Sequence, residues 1–166
     1  MFVFDASMLI LIAKIDLLDL FLNNAGMAVA IPRAVEEECC GKKSLDALII
    51  ERAVVESKII VKSVRNRKLV AKLEEDFSMA RGESEAIALA LQEEARLVGI
   101  DDKRGINACK LTGIPFTTAV NILVRSREKG LIDRSEALVR LSALARHGRY
   151  RNSILEDARR ALEEQP

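Results

Sequence analysis

The chain has 166 residues, 49% of them hydrophobic, which suits one compact core and leaves little room for a second. Its 26 Lys and Arg residues against 25 Asp and Glu exclude a polybasic or polyacidic binding mode, so any nucleic-acid contact must come from a local basic rim. Adjacent Cys39 and Cys40 with a distant Cys109 fit neither a disulfide framework nor zinc-ligand spacing. The apolar run from Met8 to Ile15 is interrupted by Lys14 and is far too short to span a bilayer, so a soluble, untargeted protein of a reducing cytoplasm is expected.

The first apolar run, FVF at 2–4, reads as a buried strand and ends at Asp5. SMLILIAKI and LLDLFL follow as a helix pair, MAVAI at 27–31 as a second strand, and Pro32 opens a helix through RAVEEECC. LDALIIERAVVE has apolar spacing near 3.6, and KIIVKS at 58–63 reads as a third strand. The charged segment from Asn66 to Ser78 is helical, as is the alanine-rich GESEAIALALQEEA. RLVGI at 96–100 supplies a fourth strand ending in Asp101 and Asp102, which precede the helix KRGINACKL, and IPF after Gly113 supplies a short fifth strand. From about residue 119, AVNILVRSREKG, DRSEALVRLSALARHG and RNSILEDARRALEEQ read as three closing helices with serine or aspartate near their starts. Residues 1–166 form one domain in this reading, without repeat, linker or low-complexity segment.

Alternation of strand and helix implies a parallel sheet with right-handed crossovers. In the order 3-2-1-4-5 the first and fourth strands are neighbours at the switch point, so Asp5, Asp101 and Asp102 leave the sheet on the edge where open α/β folds bind ligands. Glu36, Glu37 and Glu38, and Glu83 and Glu85 around Ser84, stand at further helix starts. Each acid taken alone serves equally well as a helix cap or as compensation of a helix dipole. Gathered together they repel, by about 4 kcal/mol for two unit charges about 4 Å apart at an effective dielectric near 20. Either some stay protonated or a hard divalent cation binds them, and an oxygen-only set suits magnesium or manganese better than zinc. Such an ion supports phosphodiester hydrolysis.

The pieces FVFDASMLI, IPRAVEEE, GESEAIALA and LVGIDDKRG resemble, in order and spacing, the PIN-domain family of metal-dependent ribonucleases, which includes the VapC-type toxins of toxin–antitoxin pairs. NILVRSREKGLIDRSEALVRL is similar to the tail of a bacterial and archaeal subgroup. The resemblance implies a Rossmann-like three-layer α/β/α sandwich with a parallel sheet of four to five strands, and an Mg2+- or Mn2+-dependent endoribonuclease. It implies Asp5, Glu38, Glu85 and Asp102 as catalytic and metal-binding acids, with Asp5 and Asp102 holding the ion most directly. Ser7, Glu37, Glu83, Asp101, Thr117 and Thr118 are auxiliary candidates, Glu37 being the rival of Glu38 within the triplet. The hydroxyls of Thr117 and Thr118 lie in PFTTAVN, where relatives often carry a glycine beside the threonine, and Ile106 replaces a basic residue common in the subgroup.

Lys103 and Arg104, directly after the fourth acid, are candidate phosphate contacts and equally ordinary surface charges. An RNA substrate, a small antitoxin partner and a homodimer built on LILIAKIDLLDLFL and LDALIIERAVV complete the expectation. Cys39, Cys40 and Cys109 read as small hydrophobes, His147 as a loop or capping residue, and Tyr150 carries no assigned function. Two other readings stand beside the nuclease. One is a catalytically weak or inert PIN-like module for RNA binding or assembly. The other is a receiver-like signalling domain, disfavoured because the third strand ends in KSVRN without a phosphorylatable aspartate.

Overall fold

A computed structural model describes residues 1–164, so Gln165 at the end of the last expected helix, and Pro166, lie outside the described residues. In chain order the elements are β1 (Phe2–Phe4), α1 (Ala6–Lys14), α2 (Leu18–Asn24), β2 (Val29–Pro32), α3 (Arg33–Cys39), α4 (Leu45–Val55), β3 (Ile59–Lys62) and α5 (Arg67–Phe77). They continue with α6 (Arg81–Gln92), β4 (Leu97–Gly99), α7 (Lys103–Thr112), β5 (Phe116–Thr117), α8 (Ala119–Glu128), α9 (Arg134–His147) and α10 (Asn152–Glu164). Among the described residues no helix is long and apolar enough to cross a membrane.

The five strands form one parallel sheet in the order β3-β2-β1-β4-β5. That is the expected α/β/α architecture, and it differs from the 2-1-3-4-5 order of receiver domains, in which the first and third strands are neighbours. Here β1 lies between β2 and β4, with Phe4 paired to Gly99.

Side-chain alternation along β1 sends Val3 and Phe4 to opposite faces. Val3 joins Val98, Ile100 and the buried residues of α5, α6 and α7, among them Val70, Leu73, Ile87, Leu89 and Cys109. Phe4 joins Val29, Ile31 and Ile59 beneath the other helices, with Leu9 and Ile12 of α1, Ile50 of α4, Leu123 of α8, Leu141 of α9 and Leu162 of α10. Each fully buried aliphatic or aromatic side chain contributes roughly 1.5–3 kcal/mol through removal from water. These two interiors fix the sheet between its helical layers.

Local departures from the expected boundaries have simple causes. Pro32 closes β2 in extended conformation and caps α3 rather than opening it, since proline has no N–H to give and its φ fits either role. The fifth strand is Phe116–Thr117, two residues later than IPF, because Ile114 and Pro115 follow the left-handed turn at Gly113 that ends α7. His147 is the last residue of α9 and is exposed, not a loop residue between helices. The largest correction concerns the surface proposed for a twofold contact. Met8, Leu9, Leu11, Ile12, Leu17 and Leu18 are buried in the core, so α1 offers no apolar face, whereas α4 leaves Leu45, Leu48 and Val55 exposed.

Candidate active site at the C-terminal edge of the sheet

Asp5 ends β1 and caps α1. Its backbone N–H donates to the Gly99 carbonyl at 3.1 Å, tying it to the end of β4, and its side chain is fully buried. The carboxylate accepts from the Met8 N–H at 2.8 Å and from the Ser7 hydroxyl at 2.8 Å. Burial pushes the Asp5 carboxyl up to about 8, against the opposing effect of these two hydrogen bonds and with the help of the like charges on Asp101 and Glu83. The helix-capping role of Asp5 and its exposure to two neighbouring acids therefore coexist in one residue.

Asp101 and Asp102 follow β4 on the same edge. Asp101 accepts from the Ala119 N–H at 2.8 Å and from the Tyr150 hydroxyl at 2.6 Å, and burial raises its carboxyl despite both donors. Burial and the adjacent Asp101 carboxylate also raise the Tyr150 phenol, which stays protonated as the donor. Asp102 caps α7, accepting from the Arg104 N–H at 2.8 Å.

The two glutamates of GESEA divide. Glu83, in the first turn of α6, accepts from the Ala80 N–H at 3.1 Å. Burial raises its carboxyl, the Ala80 bond opposes, and the charges of Asp102 and Glu38 raise it further against the pull of Arg104. Glu85 is 1% exposed and accepts from Arg67 at 2.6 Å and from Arg81 at 2.9 Å, so it is turned toward α5. Burial would raise its carboxyl, but the two guanidinium groups win and hold it below the usual range. Glu83 thus feels the charges of Asp102 and Glu38, whereas Glu85, expected as the third acid, is paired with Arg67 and Arg81.

Within the glutamate triplet the exposed Glu38 lies against Gly82 of α6, since a Cβ there would come within 3.1 Å of its carboxylate oxygen. Gly82 lets α3 and α6 approach closely enough for that. Exposed Glu37 lies toward Arg81, whose charge it supports. Ser7 contacts Asp5, while the Thr118 hydroxyl accepts from the Asn121 N–H at 3.3 Å as the cap of α8. Thr117 lies in β5, and its carbonyl accepts from the Ile100 N–H at 3.0 Å. Lys103 and Arg104 are exposed at the start of α7, and the Arg104 guanidinium donates to the Ser78 carbonyl. The residue missed from sequence is Tyr150, whose partner Asp101 is 49 positions away and leaves no local pattern.

The donor set is carboxylate and hydroxyl oxygen, and the single histidine, His147, is exposed at the end of α9. Cys39 and Cys109 are buried and pushed up to about 12 and about 11, in each case first by burial, so neither offers a thiolate. A buried acid crowded by like charges fits a hard divalent cation as the missing counter-charge. The side chains are nevertheless committed to separate hydrogen bonds, and among the described residues no three Asp, Glu, His or Cys groups converge tightly enough to hold an ion. The cavity of about 330 Å3 lined by Phe2, Phe4, Phe21, Met27 and Thr117 contains none of these acids.

A family model described as a PIN domain matches residues 1–164, whereas no curated protein and no solved structure matches. With the 3-2-1-4-5 sheet and acids issuing from its C-terminal edge, that match over nearly the whole length means that the chain belongs to the PIN-domain family.

Proposed function

We propose that this PIN domain is a divalent-metal-dependent endoribonuclease that hydrolyses RNA phosphodiesters at the edge carrying Asp5. The PIN domain is a nuclease-like fold and its members generally use divalent metals, which supports the reaction class. The observation that carries the reading is Asp5 itself, a carboxyl fully buried between the ends of β1 and β4, held by the Met8 N–H and the Ser7 hydroxyl and raised further by the like charges of Asp101 and Glu83. Such a carboxyl holds its proton near neutral pH until a metal displaces it.

Asp5 and Glu83 form the centre of this site, flanked by Asp101, Asp102 and Glu38. Glu83 takes the role expected for Glu85, because Glu85 is neutralised by Arg67 and Arg81. A bound Mg2+ or Mn2+ would acidify a water and stabilise charge developing on the phosphodiester. Ser7 and the Met8 N–H orient Asp5, and Lys103 and Arg104 bind substrate phosphate beside Asp102. No side chain serves as a covalent nucleophile.

Manganese-dependent cleavage of an RNA panel tests this directly. Asp5→Asn and Glu83→Gln are expected to lower turnover at least about a hundredfold while the fold persists, and Glu85→Gln to leave it within about threefold. Unchanged turnover in Asp5→Asn removes the proposed centre, and a severe loss in Glu85→Gln alone makes Glu85, not Glu83, the third acid. The separate hydrogen bonds of the acids favour a second reading, an inert RNA-binding or assembly module. RNA binding by the wild type without manganese-dependent cleavage would select it. A toxin role with a small antitoxin partner belongs to the same proposal and is supported by the motif resemblance.

A further inference from the structure

We infer that Tyr150, in the connection between α9 and α10, is a positioning residue that sets the orientation of Asp101 for metal binding. The inference rests on the metal-dependent reading above. Both carboxylate oxygens of Asp101 are engaged by donors from the C-terminal third of the chain. Oδ1 accepts from the Tyr150 hydroxyl at 2.6 Å, and Oδ2 accepts from the Ala119 N–H at 2.8 Å. The first of these lies in the range of a charge-assisted O–H···O bond, and the second comes from the first turn of α8. With one donor on each oxygen, the two bonds together fix the plane of the Asp101 carboxylate.

The phenol is itself placed by a specific absence of side chain. A Cβ at Gly148 would come within 2.2 Å of the Tyr150 ring, so the ring occupies the space that any other residue at 148 would fill. Gly148 is in extended conformation and needs no left-handed freedom, which leaves close approach as its role. Partners that hold metal-binding side chains in register typically change metal affinity or activity by about 10–100-fold when removed. A purely architectural tyrosine, by contrast, would alter melting without altering metal affinity at temperatures where the protein is folded.

The test is calorimetric titration of the full-length, metal-free protein with Mn2+ in the absence of RNA. Tyr150→Phe keeps the ring and removes only the hydroxyl, and it is expected to weaken Mn2+ binding about tenfold with the circular dichroism spectrum unchanged. Gly148→Ala, which displaces the ring, is expected to weaken binding similarly and provides the second route if Tyr150→Phe folds poorly. Because Tyr150 acts through Asp101, the double variant Tyr150→Phe with Asp101→Asn should bind no more weakly than Asp101→Asn alone. Wild-type affinity in folded Tyr150→Phe, or losses that multiply in the double variant, would overturn the assignment. A wild type that takes up no Mn2+ would overturn the metal reading and this inference with it, a result distinct from a binding wild type with an indifferent Tyr150→Phe.

Discussion

Asp5 concentrates the physical tension of the site in one side chain. Its folded-state value of about 8 lies above the ordinary 3.8, so the folded protein holds this proton more tightly than the unfolded chain. The stabilisation from the protonated group is therefore complete below about pH 4 and is lost as pH rises toward 8, by at most about 6 kcal/mol. In chelator-treated protein the melting temperature should fall between pH 5 and pH 8 by more in the wild type than in Asp5→Asn, whose amide does not ionise. Parallel pH dependence in the two proteins would show that Asp5 ionises at an ordinary pH. The sequence made Asp5 legible, because an acid closing an apolar run leaves a parallel sheet at its C-terminal edge. It did not separate Glu83 from Glu85. Two positions along a helix differ by about 200°, and α6 is buried on so many sides, from Gly82 through Ala90, that no apolar stripe sets its rotation.

At the scale of elements, the acids are held by the starts of four helices packed against one edge. Asp5 caps α1, Asp102 caps α7, Glu83 sits in the first turn of α6, and Asp101 receives the first N–H of α8. The sequence offered such caps as alternatives to function, and Asp5 and Asp102 do cap their helices at the same sheet edge. The contact between α3 and α6 at Gly82 is where local stability and site geometry part company. Gly82→Ala favours the helix by about 0.5–1 kcal/mol in backbone terms, yet its Cβ would stand 3.1 Å from the Glu38 oxygen and 3.5 Å from Val35. The expected outcome is an unchanged or slightly raised melting temperature with reduced manganese-dependent cleavage. Full activity in that variant would show that Glu38 needs no particular place beside α6.

Over the whole molecule, the C-terminal helices do more than cover the sheet. Leu141, Leu144, Ala158 and Leu162 complete the interior over α1 and α8, while Tyr150, between α9 and α10, reaches back to Asp101. That closure was legible in outline from the three amphipathic segments after residue 119. The Tyr150 bond was invisible because it joins segments with no shared periodicity. The apolar surface also changes the expected assembly. Of the two segments expected to form a twofold contact, α1 is buried and α4 keeps an apolar face, where Leu48 and Val55 lie seven residues apart and are 54% and 78% exposed. Sedimentation should show a dimer that Leu48→Glu dissociates, and a wild type that stays monomeric at high concentration would remove this contact.

Titration of the metal-free wild type and of Asp5→Asn with Mn2+ at pH 7.5, followed by calorimetry, bears most directly on whether the clustered acids act as one cation site. Saturable binding of Mn2+ with release of protons is expected for the wild type, and an affinity at least about tenfold weaker for Asp5→Asn. Equal affinity in the two proteins, or no uptake by the wild type, would contradict the account.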